Sequence, residues 1–128
     1  EKNASNKNVL TYLQFWFSPK TYSHKGDYSK VSFSHELTFN NLFKVFGEND
    51  GVEQIRQDVN FYMSILDENK TLEYSPEEGR KTFIFLLDGC LDINNNVLNS
   101  RDSARTKDAT KLNIKATKKS VIFLVDTI

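Results

Sequence analysis

Tyr12-Leu13-Gln14-Phe15-Trp16-Phe17-Ser18-Pro19 alternates with the period of a β-strand. Leu13, Phe15 and Phe17 stand on one side and Tyr12, Gln14 and Trp16 on the other, so apolar bulk lies on both faces. That pattern predicts a strand covered from both sides.

Outward from this stretch the same period recurs in short runs. Further strands are expected near 28–33, 41–46, 53–57, 61–66, 70–74, 82–87, 90–93, 111–116 and 121–126. Between them sit Gly47-Glu48-Asn49-Asp50-Gly51, Asp67-Glu68-Asn69-Lys70, Asp88-Gly89 and Asn94-Asn95-Asn96. Gly, Asn and Asp tolerate the positive φ angles of tight turns, and turns this frequent favour antiparallel pairing. A helix needs ten or more residues with apolar positions three and four apart. The one candidate, 34–46, is short and β-rich, which leaves one helical turn at most. Ten Phe, five Tyr and one Trp supply enough aromatic bulk to fill the space between two sheets. The expected fold is therefore all-β, a jelly roll of two facing antiparallel sheets. Lys115-Ala116-Thr117-Lys118-Lys119 is read as a solvated turn or protected edge before the last strand.

A chain of 128 residues fits one packed domain. Residues 1–8 are polar, rich in Asn and Lys, and read as a linker or tail behind a preceding domain, leaving 9–128 as the domain itself. Seventeen basic and seventeen acidic side chains cancel, so no overall field draws the chain to nucleic acid or anionic lipid. No apolar run approaches the roughly 20 residues that span a bilayer, and the amino end is polar rather than leader-like. Cys90, the one cysteine, excludes an internal disulfide and favours a cytoplasmic location.

In order along the chain, these segments resemble the carboxy-terminal half of the pirin family, the pirin-like bicupins also described as quercetin 2,3-dioxygenase-like. Tyr12 to Pro19 is similar to the family's Leu-Gln-Ile-Trp-Ile-x-Pro strand, and Asn49-Asp50-Gly51 to its Ser-Pro-Asp-Gly turn. Ile55-Arg56-Gln57-Asp58-Val59 resembles Ile-x-Gln-Asp-Ala, and Gly79-Arg80 with Phe83 resembles Gly-Arg-x-x-Trp. Asp88-Gly89 through Leu98, Arg101-Asp102-Ser103-Ala104 and Ile122 to Asp126 follow the remaining family segments. The sequence departs where Phe83 replaces the family's Trp, Arg101 its Gly, Asn95-Asn96 its Asn-Gly hairpin and Gly26 a Pro. The resemblance implies a cupin-type jelly roll, or double-stranded β-helix. It also implies a companion amino-terminal cupin that holds one iron or similar divalent metal through three His and a Glu, and a carboxy-terminal cupin without those ligands.

The residues present agree with the second description. A mononuclear cupin site needs two His at alternate positions of one strand so that both rings face the interior, with an acid and a third His nearby. His24 and His35 are eleven residues apart, with no His-x-His, so no metal or other cofactor and no catalytic residue is assigned to this chain. Cys90 follows Asp88-Gly89 into an apolar strand and reads as a small core residue. The carboxylates Glu53, Asp58 and Asp126 show no pairing in the sequence. Arg80 is expected either to reach the barrel mouth or to pair with Glu77, Glu78 or Asp58. The aromatics admit two readings: core, or a pocket for a flat polyphenol. The residues set aside as pocket or domain-interface candidates are Gln14, Trp16, Asp58, Tyr62, Arg80 and Phe83.

Three functions are consistent with this reading. The chain is a non-catalytic cupin packing on the amino-terminal cupin of the same polypeptide, or self-associating if encoded alone. Alternatively it is part of a metal-dependent quercetin 2,3-dioxygenase-like enzyme, or a protein-binding regulatory module.

Overall fold

Two long strands organise the chain: β5 (Lys81–Ile93) and β8 (Leu112–Thr127) run antiparallel from Lys81↔Thr127 to Ile93↔Ile114. The computed structural model describes residues 2–19, 25–26, 28–47, 51, 53–107 and 111–128. Ahead of β5 come a 3-10 turn (His35–Thr38), β1 (Phe43–Gly47), β2 (Glu53–Gln54), β3 (Val59–Leu66) and β4 (Thr71–Tyr74). Between β5 and β8 lie β6 (Asn96–Asn99) and β7 (Ser103–Lys107). Among the described residues no helix is long and apolar enough to cross a membrane.

Each long strand serves two sheets. On the free edge of β8, β3 pairs with the carboxy-terminal half, Val59↔Thr127 to Leu66↔Ser120, and β4 with the amino-terminal half, Thr71↔Lys115 to Tyr74↔Leu112. On the free edge of β5, β7 takes the first half and β6 the second. β1 extends the first sheet beyond β3. Leu66, Ile84, Leu86, Ile122 and Leu124 from one sheet meet Leu91, Ile93, Leu98, Leu112, Ile114 and Ala116 from the other in a single buried cluster. The sheets therefore face each other across this core, as the jelly-roll expectation requires.

The bend that makes this possible lies at Gly89. From Leu86↔Ile122 to Leu91↔Ala116 the register shifts three times, and β8 contributes one residue more than β5. A one-residue offset turns one strand's side chains to the opposite face. The buried residues of β5 accordingly change parity, from Ile84 and Leu86 to Leu91 and Ile93, while those of β8 keep theirs. Gly89 has φ +108°, and a Cβ on it would collide with Ser120 Oγ and the Lys119 carbonyl. The buried Ser120 hydroxyl ties the bend, accepting from Cys90 N at 3.2 Å and donating to Lys118 O at 2.7 Å.

This bend explains two departures from the sequence reading. Asp88-Gly89 is a bulge inside β5 rather than a turn, so the runs at 82–87 and 90–93 are one strand. Lys115 to Lys119 likewise lies within β8, joining 111–116 to 121–126. The expected strands at 12–17 and 28–33 do not form. Phe15, Phe17 and Phe33 instead pack on an outer layer with Val45, Val59, Phe61 and Val125, while Gln14 and Trp16 are exposed. The period-two alternation is real, but it marks packing across a sheet face rather than pairing at a sheet edge. The β6 and β7 strands were not expected, because Asn96–Asn99 and Ser103–Lys107 carry few apolar residues.

The turn residues behave as their chemistry dictates. Asn94 (φ 49°) and Asn95 (φ 66°) close the β5–β6 hairpin, and Asn69 (φ 64°) sits in the β3–β4 turn. Arg101, where the resembled family has glycine, adopts φ 74°. His24, Asn49 and Asp50 lie outside the described residues.

Candidate functional site

At one end of the barrel four chain segments bring charge together. Asp58 directly precedes β3, Tyr74 ends β4, Arg80 directly precedes β5 and Asp126 lies next to the end of β8. Arg80 Nε donates to Asp126 Oδ1 at 2.6 Å and Nη2 to the Asp126 carbonyl at 3.2 Å, while Nη1 reaches Asp58 Oδ1 at 2.7 Å. The Tyr74 hydroxyl donates to Asp126 Oδ2, and Thr127 Oγ1 donates to the Asp58 carbonyl at 3.1 Å. Tyr62 packs edge-on against Tyr74, ring centroids 5.5 Å apart, joining this cluster to the barrel core.

The electrostatics follow from burial. The Asp126 side chain is 4% exposed and that of Arg80 11%, so each charge depends on its partner rather than on water. Burial opposes the Arg80 charge, but its hydrogen bonds to Asp58 and Asp126 outweigh it and hold the guanidinium above its ordinary pKa. Desolvation first, and then the hydrogen bond to Asp126, push the Tyr74 phenol well above its ordinary value. The sign is that of a raised folded pKa: stability is full below the unfolded-state value near 10 and falls as pH rises through it. Tyr74→Phe should remove the part of alkaline destabilisation that sets in above about pH 10, measured as urea midpoints between neutral pH and pH 11.

Chemically this arrangement is a lock. Both carboxylate oxygens of Asp126 are engaged and Arg80 uses three donors, so neither offers a free acid or base to a substrate. Thr82, opposite Asp126, has the one buried side-chain oxygen without a partner among the described residues.

The six sequence candidates separate into three places. Asp58 and Arg80 meet directly, with Tyr62 behind them through Tyr74. Arg80 selects Asp58 and Asp126 rather than the side chains of Glu77 or Glu78, although its backbone N–H donates to the Glu77 carbonyl at 3.1 Å. Gln14 and Trp16 lie on the amino-terminal segment, where Trp16 joins Phe15, Phe17, Phe46, Ile55 and Phe61 around an open cleft of about 440 Å³. Phe83 faces the outer layer, away from the barrel interior. Sequence reasoning missed Tyr74, and it listed Asp126 without a partner. The available signal was a lone carboxylate closing the apolar run Val121 to Val125, a position that demands a buried counter-charge.

The described residues do not fit a cupin metal. The interior-facing positions of the long strands are mostly aliphatic, Ile84, Leu86, Leu91, Ile93, Leu112, Ile114, Ala116, Ile122 and Leu124, with Thr82, Ser120 and Asp126 the buried polar ones. His35 is exposed on the 3-10 turn, and no group of three or more His, Cys, Asp or Glu among the described residues could hold an ion. Cys90 is half-buried beside Asn99, with Sγ 3.9 Å from its Oδ1.

No curated protein sequence matches the chain. Among solved structures, YhhW from Escherichia coli superposes with a TM-score of 0.78 at 20% identity, over 86% of this chain and 47% of that one. The nickel(II) complex of bacterial pirin YhhW gives 0.76 at 20% identity over 85% and 47%. Quercetin 2,3-dioxygenase from Acinetobacter baumannii gives 0.59 at 14% identity over 66% and 31%. These likenesses establish the cupin fold, and the chain spans about half the length of YhhW. Residues 47–127 match the quercetinase C-terminal cupin domain. With Arg80, Asp58 and Asp126 locking one end of an aliphatic-filled barrel, the chain belongs to the quercetinase C-terminal cupin domains of the pirin family.

Proposed function

We propose that this chain is the non-catalytic carboxy-terminal cupin of a pirin-like protein, packing on and supporting a metal-binding amino-terminal cupin of the same polypeptide. The observation that carries the reading is the barrel interior, filled by aliphatic side chains where an active cupin converges its imidazoles. Any quercetin 2,3-dioxygenase-like chemistry of a whole polypeptide would then reside in its other half. The chain spans about half the length of YhhW, which supports a companion cupin in the whole polypeptide; in this reading residues 1–8 are the linker and 9–128 the domain. Cys90, free of any disulfide, supports a reducing, cytoplasmic compartment.

The exposed apolar side chains of the amino-terminal segment are the surface we assign to that contact: Val9 (93% exposed), Leu10, Leu13 and Trp16 (84% exposed). Trp16→Ala removes no buried contact, so folding stability should change by no more than about 0.5 kcal/mol. Association with the separately produced amino-terminal half, measured by isothermal titration, should weaken at least roughly tenfold, as loss of a central aromatic anchor does. Unchanged association would contradict this placement.

A further inference from the structure

On the outer face of the first sheet, at the edge formed by β7, three cations surround one phenylalanine. Lys81 lies directly opposite Lys107 on β7 and Thr127 on β8, and Phe83 lies opposite Arg105. Alternation along the strands puts all five on one face. Together with Thr82 and Thr106, which alternate to the other face of the same two strands, they line a cavity of about 550 Å³ at this edge, within the size range of small-molecule pockets. Among the described residues none of the three cations makes an ion pair or a side-chain hydrogen bond. Like charges directly opposite on neighbouring strands destabilise a sheet. The chain as a whole is neutral, so this concentration is local.

We propose that this pocket binds a small organic anion with a flat apolar body, its carboxylate or similar group held between Lys81, Lys107 and Arg105 and its body against Phe83. Among the described residues no acidic side chain pairs with this cluster, and the anion supplies that negative charge and relieves the opposed Lys81 and Lys107. The Phe83 ring and the cavity volume call for apolar bulk that an inorganic ion does not have. The site shares no residue with the Trp16 surface, so it stands apart from the docking role proposed above.

The test is an amide NMR titration of this chain at low ionic strength with 2-naphthoate, its neutral analogue 2-naphthylmethanol, and inorganic phosphate. Naphthoate should give saturable shifts at Lys81 to Phe83, Arg105 to Lys107 and Thr127, with a dissociation constant of roughly 1 mM or below. The alcohol and phosphate should each bind at least about tenfold more weakly, and added salt should weaken the naphthoate complex. Lys107→Gln and Arg105→Gln should each weaken naphthoate binding about tenfold. The melting temperature of Lys107→Gln should hold or rise, because the opposed like charges are gone. Equal affinity for the alcohol or phosphate, shifts centred elsewhere, wild-type binding by both variants, or no saturable binding would each overturn the proposal.

Discussion

Gly89→Ala should destabilise the domain by about 3 kcal/mol or more, lowering the melting temperature by roughly 10 °C. Two separate costs combine. At φ +108° an L-residue pays about 1–2 kcal/mol for the left-handed backbone. The added Cβ then enters the space of Ser120 and the Lys119 carbonyl, with Ser120 Cα only 2.7 Å away, an overpacking that costs about 1–3 kcal/mol. Backbone cannot swing aside as a side-chain tip can, so removing the serine hydroxyl in Gly89→Ala/Ser120→Ala should not restore stability. Urea unfolding of both variants measures this, and a loss below about 0.5 kcal/mol for Gly89→Ala would place the bend elsewhere.

Arg80→Leu should cost about 3–5 kcal/mol, the penalty for stranding buried charge. Two carboxylates share this one guanidinium, and Asp126 is 3% exposed. Without Arg80, Asp58 and Asp126 would lose their counter-charge and oppose each other in a site with little water. Urea unfolding of both proteins at neutral pH measures it, and a loss below about 1 kcal/mol would mean that Arg80 acts through packing alone. Asp58→Asn, with one acceptor oxygen retained and a milder loss, separates this charge effect from a general failure to fold.

Sequence reasoning reached the all-β fold because the alternation of 61–66, 82–87 and 121–126 is the alternation of β3, β5 and β8. It broke those long strands at Gly89 and at Lys115 to Lys119. There, turn chemistry and bend chemistry call for the same residues, and pairing across the bend is a long-range fact. It took Phe15 and Phe17 for strand residues because a segment lying on a sheet face and one within a sheet alternate alike. The pair of Arg80 with Asp58 was among the readings weighed from the residues, while the contact with Asp126, 46 positions away, depends on β5 and β8 being neighbours. The shortage of histidines was visible at once. What fills the interior in their place required knowing which parity faces inward on each side of the bend.

The most direct test of the central claim, that this barrel offers no metal-binding set, is elemental analysis of the purified chain after anaerobic dialysis against Fe(II) and, separately, Ni(II). The account predicts retained metal far below one ion per chain once loosely held ions are washed away. Retention of about one ion per chain, released only by a strong chelator, would contradict it.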